Sequence, residues 1–346
     1  MRVLQLGPYP PPHGGIQTNI VLIRRYLLDR EIPCAVINIT RHRKPNGDDL
    51  YYPKSAAGLI RLLLTLDYDI IHLHFGGIIT NRLLTLALIC TLIPGNKVVL
   101  TLHSGGYPES EQGRNANPNT LQGFVFRRLD AIIGVNAAVI EVFRKLRVRE
   151  QRLRLIEPHA ASAVRPSDSI SPEIKRFVES HRPLLTTVGL LEPEYDLSLQ
   201  VGVLGRVLEQ HANAGLLIIG SGSIADRLER EIARASYSHN VMLAGDVPHA
   251  ETLRAIEESD LFLRTTLYDG DSLSVREALH LGVPVIATDN RMRPSGVVLV
   301  PRSDAEALRL AICDQLSRPA TQRTHLCADE ANLEAILGLY RDLIRE

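Results

Sequence analysis

At 346 residues the chain is longer than one ordinary core requires, so two domains are expected. Lys plus Arg and Asp plus Glu both number 39, a balance that argues against nucleic acid or another polyanion as partner. Cys34, Cys90, Cys313 and Cys327 lie far apart with no metal-type spacing, which reads as reduced thiols in a cytoplasmic protein. The start, Met1 to Gly7, is too short for a signal peptide. The most apolar region, Leu83 to Ile93, falls short of a membrane span and contains Thr85 and Thr91.

Taken in order, Val3 to Leu6 reads as a strand. Gly7-Pro-Tyr-Pro-Pro-Pro-His-Gly-Gly15 cannot be regular structure, and a helix follows with Ile16, Ile20, Ile23 and Leu27 on one stripe. Strand, glycine loop and helix open many nucleotide-binding α/β units, although a plain tight turn gives the same pattern. Cys34 to Ile39 is the second strand and Arg41 to Pro53 a polar surface loop. A helix is expected over Ala56 to Leu66. The strand Asp69-Ile-Ile-His-Leu-His74 precedes a helix over Asn81 to Ile93, and the strand Lys97 to Leu102 delivers His103. Ligands in open α/β sheets sit at the C-terminal ends of strands, so His72, His74 and His103 point to one rim. His72 and His74 share a strand face, but no carboxylate stands near to complete a metal site. Histidines satisfied by backbone groups are the simpler reading for that pair. His103, with glycines on its far side, is the better candidate for function.

Tyr107 to Asn119 reads as a mobile polar loop. A helix over Phe124 to Leu129, a strand over Ala131 to Val135 and a helix over Val139 to Leu146 follow. The basic residues from Arg144 to Arg154 could form a membrane-surface patch, but Glu141 and Glu150 dilute the charge, and a solvated helix end plus linker is favoured. Ala160 to Pro172 suits a linker, after which the alternation restarts. Strands are expected at Pro183 to Gly189, Gly215 to Ile219, Val241 to Ala244, Leu261 to Leu263, Val283 to Ala287 and Val297 to Val300. Helices are expected at Leu197 to Leu208, around Ile224, Leu228 and Ile232, at Glu251 to Glu258, at Asp304 to Leu316 and at Glu330 to Ile344. The expected fold is α/β: two Rossmann-like parallel-sheet domains facing across a cleft, with a domain of residues 1–165, a second of 166–328, and a final helix in 329–346.

The densest stretch is Asp269-Gly-Asp-Ser-Leu-Ser-Val-Arg-Glu277, which opens a helix closed by Gly282 and Pro284. Its small loop, Gly270, Asp271, Ser272, Leu273 and Ser274, could rest a phosphate against its amides. Glu277 could accept from a ribose diol and Asp269 from sugar hydroxyls. The structural alternative is a capping box, with Ser274 as N-cap and Glu277 returning to its amide.

These residues carry a resemblance. The Gly14-Gly15 loop, the strand ending at His74, the strand ending at His103, Gly220-Ser-Gly222 and the run from Asp269 to Ala287 resemble the large family 4 of retaining glycosyltransferases. The resemblance implies the GT-B architecture and a nucleotide-sugar donor as substrate, with no metal and no further cofactor. It implies that Gly14 and Gly15 lie against the donor, His103 by the transferred sugar, the backbone near Val247 by the base, and Glu277 on the ribose. The implied acceptor is a saccharide or lipid-linked saccharide, with retention of anomeric configuration and a cytoplasmic location. Peripheral contact with the inner face of a membrane stays open.

The sequence also departs from that family. Leu190 stands where a phosphate-binding Arg is expected, and Tyr195 where a Lys is expected. Arg264 and Arg276 are the candidate replacements, since a leaving diphosphate must have its charge stabilised. The alternatives are a catalytically impaired GT-B homologue acting as nucleotide-binding or partner subunit, and a GT-B sugar epimerase. A nicotinamide-dependent dehydrogenase lacks its glycine fingerprint here, because Ala225 stands at the third glycine.

Overall fold

The computed structural model describes residues 1–11, 14–40, 47–157, 169–267, 269–270, 272–318 and 330–345. The chain divides into two compact units. The first comprises Met1–Pro11, Gly15–His159 and Glu330–Glu346, and the second is built on Ala160–Asp329.

The first unit runs β1 (Val3–Gly7), α1 (Gly15–Leu28), β2 (Cys34–Asn38), β3 (Leu50–Tyr51), α2 (Ala56–Thr65), β4 (Ile70–Phe75), α3 (Asn81–Leu92), β5 (Lys97–Leu102), α4 (Glu111–Arg114), α5 (Leu121–Phe126), β6 (Ala131–Gly134), α6 (Ala137–Lys145) and β7 (Leu153–Leu155). The strands form one sheet, β3-β2-β1-β4-β5-β6-β7, and every pair is parallel. Parallel strands buried on both faces need apolar residues at successive positions, which is why β4 and β5 read as near-continuous apolar runs.

The second unit runs α7 (Pro172–Ser180), β8 (Leu184–Val188), α8 (Leu197–Val207), β9 (Gly215–Ile219), α9 (Ala225–Arg234), β10 (Val241–Gly245), α10 (His249–Glu257), β11 (Leu261–Arg264), α11 (Leu273–His280), β12 (Val285–Thr288), β13 (Val297–Val300) and α12 (Ala305–Ser317). Its sheet, β10-β9-β8-β11-β12-β13, is again wholly parallel. In each sheet the strand order reverses beside the first strand of the unit, the place where such folds open a crevice for ligands.

The last helix, α13 (Ala331–Arg345), belongs to the first unit. Leu333, Ile336, Leu337, Tyr340 and Leu343 recur at helical spacing and bury one stripe against Val3, Ile23, Tyr26, Leu27, Ile70 and Val99. Burying a side chain of this size typically contributes about 1.5–3 kcal/mol. This stripe therefore ties the chain's end to its beginning.

Several local expectations need correction. Tyr107 to Asn119 is not simply an open polar loop. Tyr107 is 1% exposed, Pro108 lies in a 3-10 turn, and α4 follows, capped by the Ser110 hydroxyl on the Gly113 amide. Pro172 does not close a linker but opens α7, since proline is tolerated at the first helical position. The stretch after α6 gains a seventh strand, β7. Its arginines are largely committed: Arg144 pairs with Glu141 and Glu150, and Arg152 donates to the carbonyls of Arg127 and Leu129. The favoured non-membrane reading of that stretch therefore needs a strand in place of a linker.

Candidate active site

In the second unit, Arg264 ends β11 and Asp269 lies in the loop that follows. Arg264 Nε donates to Asp269 Oδ2 at 2.9 Å and its Nη1 to the Val188 carbonyl at 2.8 Å. Its guanidinium lies over the Tyr195 ring, 4.5 Å from the centroid. Tyr195, at the position where a lysine is expected, supplies the ring on which this arginine rests. Leu190, at the other departed position, is 41% exposed and brings no charge.

A second arginine, which the sequence reading missed, completes the cluster. Arg293 Nη1 donates to Asp269 Oδ2 at 3.0 Å, Nη2 to Thr266 Oγ1 at 2.8 Å and Nε to the Thr288 carbonyl at 3.2 Å. Its side chain is 1% exposed. Thr266 Oγ1 also donates to Asp269 Oδ2, and the Gly270 amide donates to Asp269 Oδ1. Burial works against the charge of Asp269, but Arg264 and Arg293 outweigh it and hold the carboxyl below its ordinary value. Burial likewise opposes the charge on Arg264, and Asp269 outweighs it, so Arg264 stays protonated. Two guanidiniums against one carboxylate leave these three groups with one net positive charge. Sequence could not have paired Asp269 with Arg293, because the contact is made across β12.

Glu277 lies on α11 and is 4% exposed. Its Oε1 accepts from His249 Nε2 at 2.8 Å, where His249 opens α10. Among the described residues Oε2 has no partner. Burial opposes protonation of His249, but the Glu277 carboxylate prevails and raises its pKa. The capping-box alternative is overturned. The N-cap of α11 is Ser272, whose side chain makes no capping bond, and Ser274 lies inside the helix. Ser274 Oγ instead meets Ser272 Oγ at 3.1 Å.

The other expected donor-side residues fall as follows. Gly270 gives its amide to Asp269, so that N–H is not open to a phosphate. Leu273 begins α11, and Arg276 is half-buried on it. Asp271 lies outside the described residues. Gly220 has φ +140, and a Cβ there would stand 1.8 Å from the Gly189 carbonyl oxygen. At Gly222 it would stand 2.3 Å from that of Leu191. These glycines let two backbone segments approach: the Gly189 and Leu191 amides donate to the Ile219 and Ser221 carbonyls. Their first role is therefore packing, although the resemblance would set them against a ligand. Val247 is buried in the apolar layer with Ile174 and Leu217.

Gly14 precedes α1, and in the first unit Gly15 begins that helix, with open space where its Cβ would be. His103 follows β5 and its Nε2 lies 3.0 Å from His74 Nδ1. His72 Nδ1 meets the Tyr340 hydroxyl at 2.5 Å and its Nε2 meets Thr101 Oγ1 at 2.7 Å. The rings of His72 and His74 are 4.0 Å apart. The shared face is as expected, but the partners are side chains rather than backbone groups, a correction to the simpler reading. Burial lowers the pKa of all three histidines, for His72 to about 3, so they are neutral near pH 7. Among the described residues, no group of three or more His, Cys, Asp or Glu could hold a metal ion.

Two wholly parallel Rossmann-like units, each with polar groups gathered at its strand ends, define a GT-B fold. The model of Glycosyltransferase Family 4 matches residues 14–159, and that of Glycosyl transferases group 1 matches residues 171–325. The chain belongs to these GT-B glycosyltransferase families. It is 30% identical to the amylovoran biosynthesis glycosyltransferase AmsK of Erwinia amylovora over 142 residues, 37% of this chain and 35% of that one. The chain spans less than half the length of the curated relatives it matches. Anabaena HepE in complex with UDP-glucose superposes with a TM-score of 0.70 at 17% identity, covering 100% of this chain and 96% of that one. Sucrose-phosphate synthase from Thermosynechococcus elongatus gives 0.72 at 18%, with both chains covered in full. At these identities the structural likeness is one of fold. Among the described residues, no helix is long and apolar enough to cross a membrane.

Proposed function

We propose that the protein transfers a sugar from a nucleotide-sugar donor to a hydroxyl of a saccharide or lipid-linked saccharide, with retention of anomeric configuration. The observation that carries this reading is Glu277: a buried carboxylate fixed by His249 on one oxygen, with the other uncommitted. Oε2 is not among the side-chain atoms buried without a partner, so it stays open to solvent and to a ligand's donors. A ribose diol supplies the required donors, and the family resemblance assigns the residue that work. HepE, with the same fold, binds UDP-glucose. AmsK, a glycosyltransferase of amylovoran biosynthesis, supports the reading of sugar transfer.

In the transfer, the bond from the anomeric carbon to the diphosphate breaks and the electron pair leaves with the diphosphate. The acceptor oxygen bonds to the same face of that carbon, and its proton passes to a donor phosphate oxygen. The Arg264 guanidinium, held by Asp269 at the end of β11, suits the departing diphosphate. In this reading Arg264 and Arg276 do the work of the missing Arg and Lys. Asp269 holds Arg264 in place, a duty prior to any contact with sugar hydroxyls.

A thermal-shift screen against a nucleotide-sugar panel, followed by turnover assays, tests the proposal. Sugar release from one donor, abolished by Glu277→Ala, supports it. Nucleotide binding with no turnover on any donor would instead favour a non-catalytic nucleotide-binding homologue.

A further inference from the structure

His74 lies in β4 beneath His103 and takes no part in the transfer as described. Its Nδ1 is 3.0 Å from His103 Nε2, and its Nε2 is buried with no hydrogen-bond partner among the described residues. A neutral imidazole has one N–H and one bare nitrogen. If the proton of His74 sat on Nε2, a buried N–H would be left without an acceptor. If it sits on Nδ1, the orphan is a bare nitrogen, and the proton is used in the bond to His103. Buried orphan donors are rarer than buried orphan acceptors, so the second arrangement is favoured. It has a consequence one ring further on. His103 Nε2 must then accept, which puts the proton of neutral His103 on Nδ1. Among the described residues that Nδ1 has no partner.

We infer that His74 is a positioning residue that fixes His103 in its Nδ1–H form, so that His103 presents a hydrogen-bond donor, and not a base, to an oxygen of the bound sugar. The tautomer follows from the geometry alone, whereas the sugar oxygen rests on the proposed transfer. A fixed donor with a buried second partner is pre-oriented, as the outer partners of ligating histidines are in metal sites. The ring contact of His103 with His74, centroids 5.3 Å apart, limits a flip about the Cβ–Cγ bond that would carry Nε2 away from His74.

Long-range nitrogen–proton NMR of the histidine rings reads the tautomer directly. In the wild-type protein His74 and His103 should both show the Nδ1–H pattern. His74→Asn keeps an N–H near the Nδ1 position and should preserve the His103 pattern. His74→Leu should move His103 toward the Nε2–H form and lower kcat about fivefold to tenfold, with donor KM little changed. An Nε2–H pattern for His103 in the wild type overturns the inference, and so does an unchanged pattern in a folded His74→Leu protein. The wild-type spectrum is decisive even if that variant does not fold. If the wild type turns over no nucleotide-sugar, the proposed function fails while the spectrum still decides the tautomer. If the tautomer moves and kcat does not, the donor role of His103 is overturned.

Discussion

The two Rossmann units place polar clusters at equivalent ends of their sheets but build them from opposite electrostatics. The first unit buries three neutral histidines, linked to each other, to Thr101 and to Tyr340. The second buries charges: Arg264 and Arg293 on Asp269, and His249 on Glu277. One fold thus supports both a set of directed dipoles and an ionic core. A neutral cluster loses a single hydrogen bond when altered, whereas an ionic cluster loses the compensation of a buried charge. Changes of equal size should therefore have unequal effects in the two units.

The largest effect is expected at Asp269. Asp269→Asn breaks the ion pairs this carboxylate makes with two buried guanidiniums, and breaking a buried pair costs about 3–5 kcal/mol. Hydrogen exchange measured separately in the two units should show the loss in the second and none in the first. Equal loosening of both would mean the cluster is not local to its unit. Arg293→Met should cost less, since Arg264 still pairs with Asp269. The double variant Asp269→Asn, Arg293→Met should recover part of the loss, because one of the two guanidiniums that lose the Asp269 carboxylate is then absent.

Next comes Glu277→Gln, which keeps the shape and removes the charge. It should weaken nucleotide-sugar binding at least tenfold in a calorimetric titration while the protein stays folded. Arg264→Ala should also weaken binding, and Arg276→Ala should follow it if that residue shares the diphosphate. Unchanged affinity in both arginine variants would place the phosphate elsewhere.

Much of this contrast was hidden in the sequence, while much of the fold was open. Lys97 to Leu102, Gly215 to Ile219 and Val297 to Val300 are strands with the boundaries expected, because each apolar run lies next to a residue that ends regular structure. β3 and β7 escaped because two or three residues carry no periodicity, and their pairing comes from the neighbouring strand. α7 escaped because Pro172 reads equally as the end of a linker or the start of a helix. Asp269 and Glu277 were legible as types in a pattern. Their partners Arg293 and His249 were not, since each lies on a separate βα unit and meets its acid only when the parallel strands are in register. Ser274 misled for the opposite reason: a local Ser-x-x-Glu pattern was complete, but the long-range bond from His249 won.

The smallest expected effects separate the units by pH. For His72 the folded pKa is lowered to about 3, against about 6.5 unfolded, and His74 and His103 are lowered as well. The unfolded chain then binds more protons within that window, so the first unit should lose stability as pH falls from about 6.5 towards about 3. His249 has the opposite sign. Its folded pKa is raised, so the stability it contributes is fully present below about 6.5 and lost as pH rises through the folded value. His249→Gln keeps a hydrogen-bond donor for Glu277 but cannot become charged. It should cost most below about pH 6.5 and progressively less as pH rises through the raised folded value, read by hydrogen exchange in the second unit. A cost independent of pH would show that the pair is held by its hydrogen bond alone, and that the ionic character assigned to the second unit belongs only to Asp269 and its two arginines.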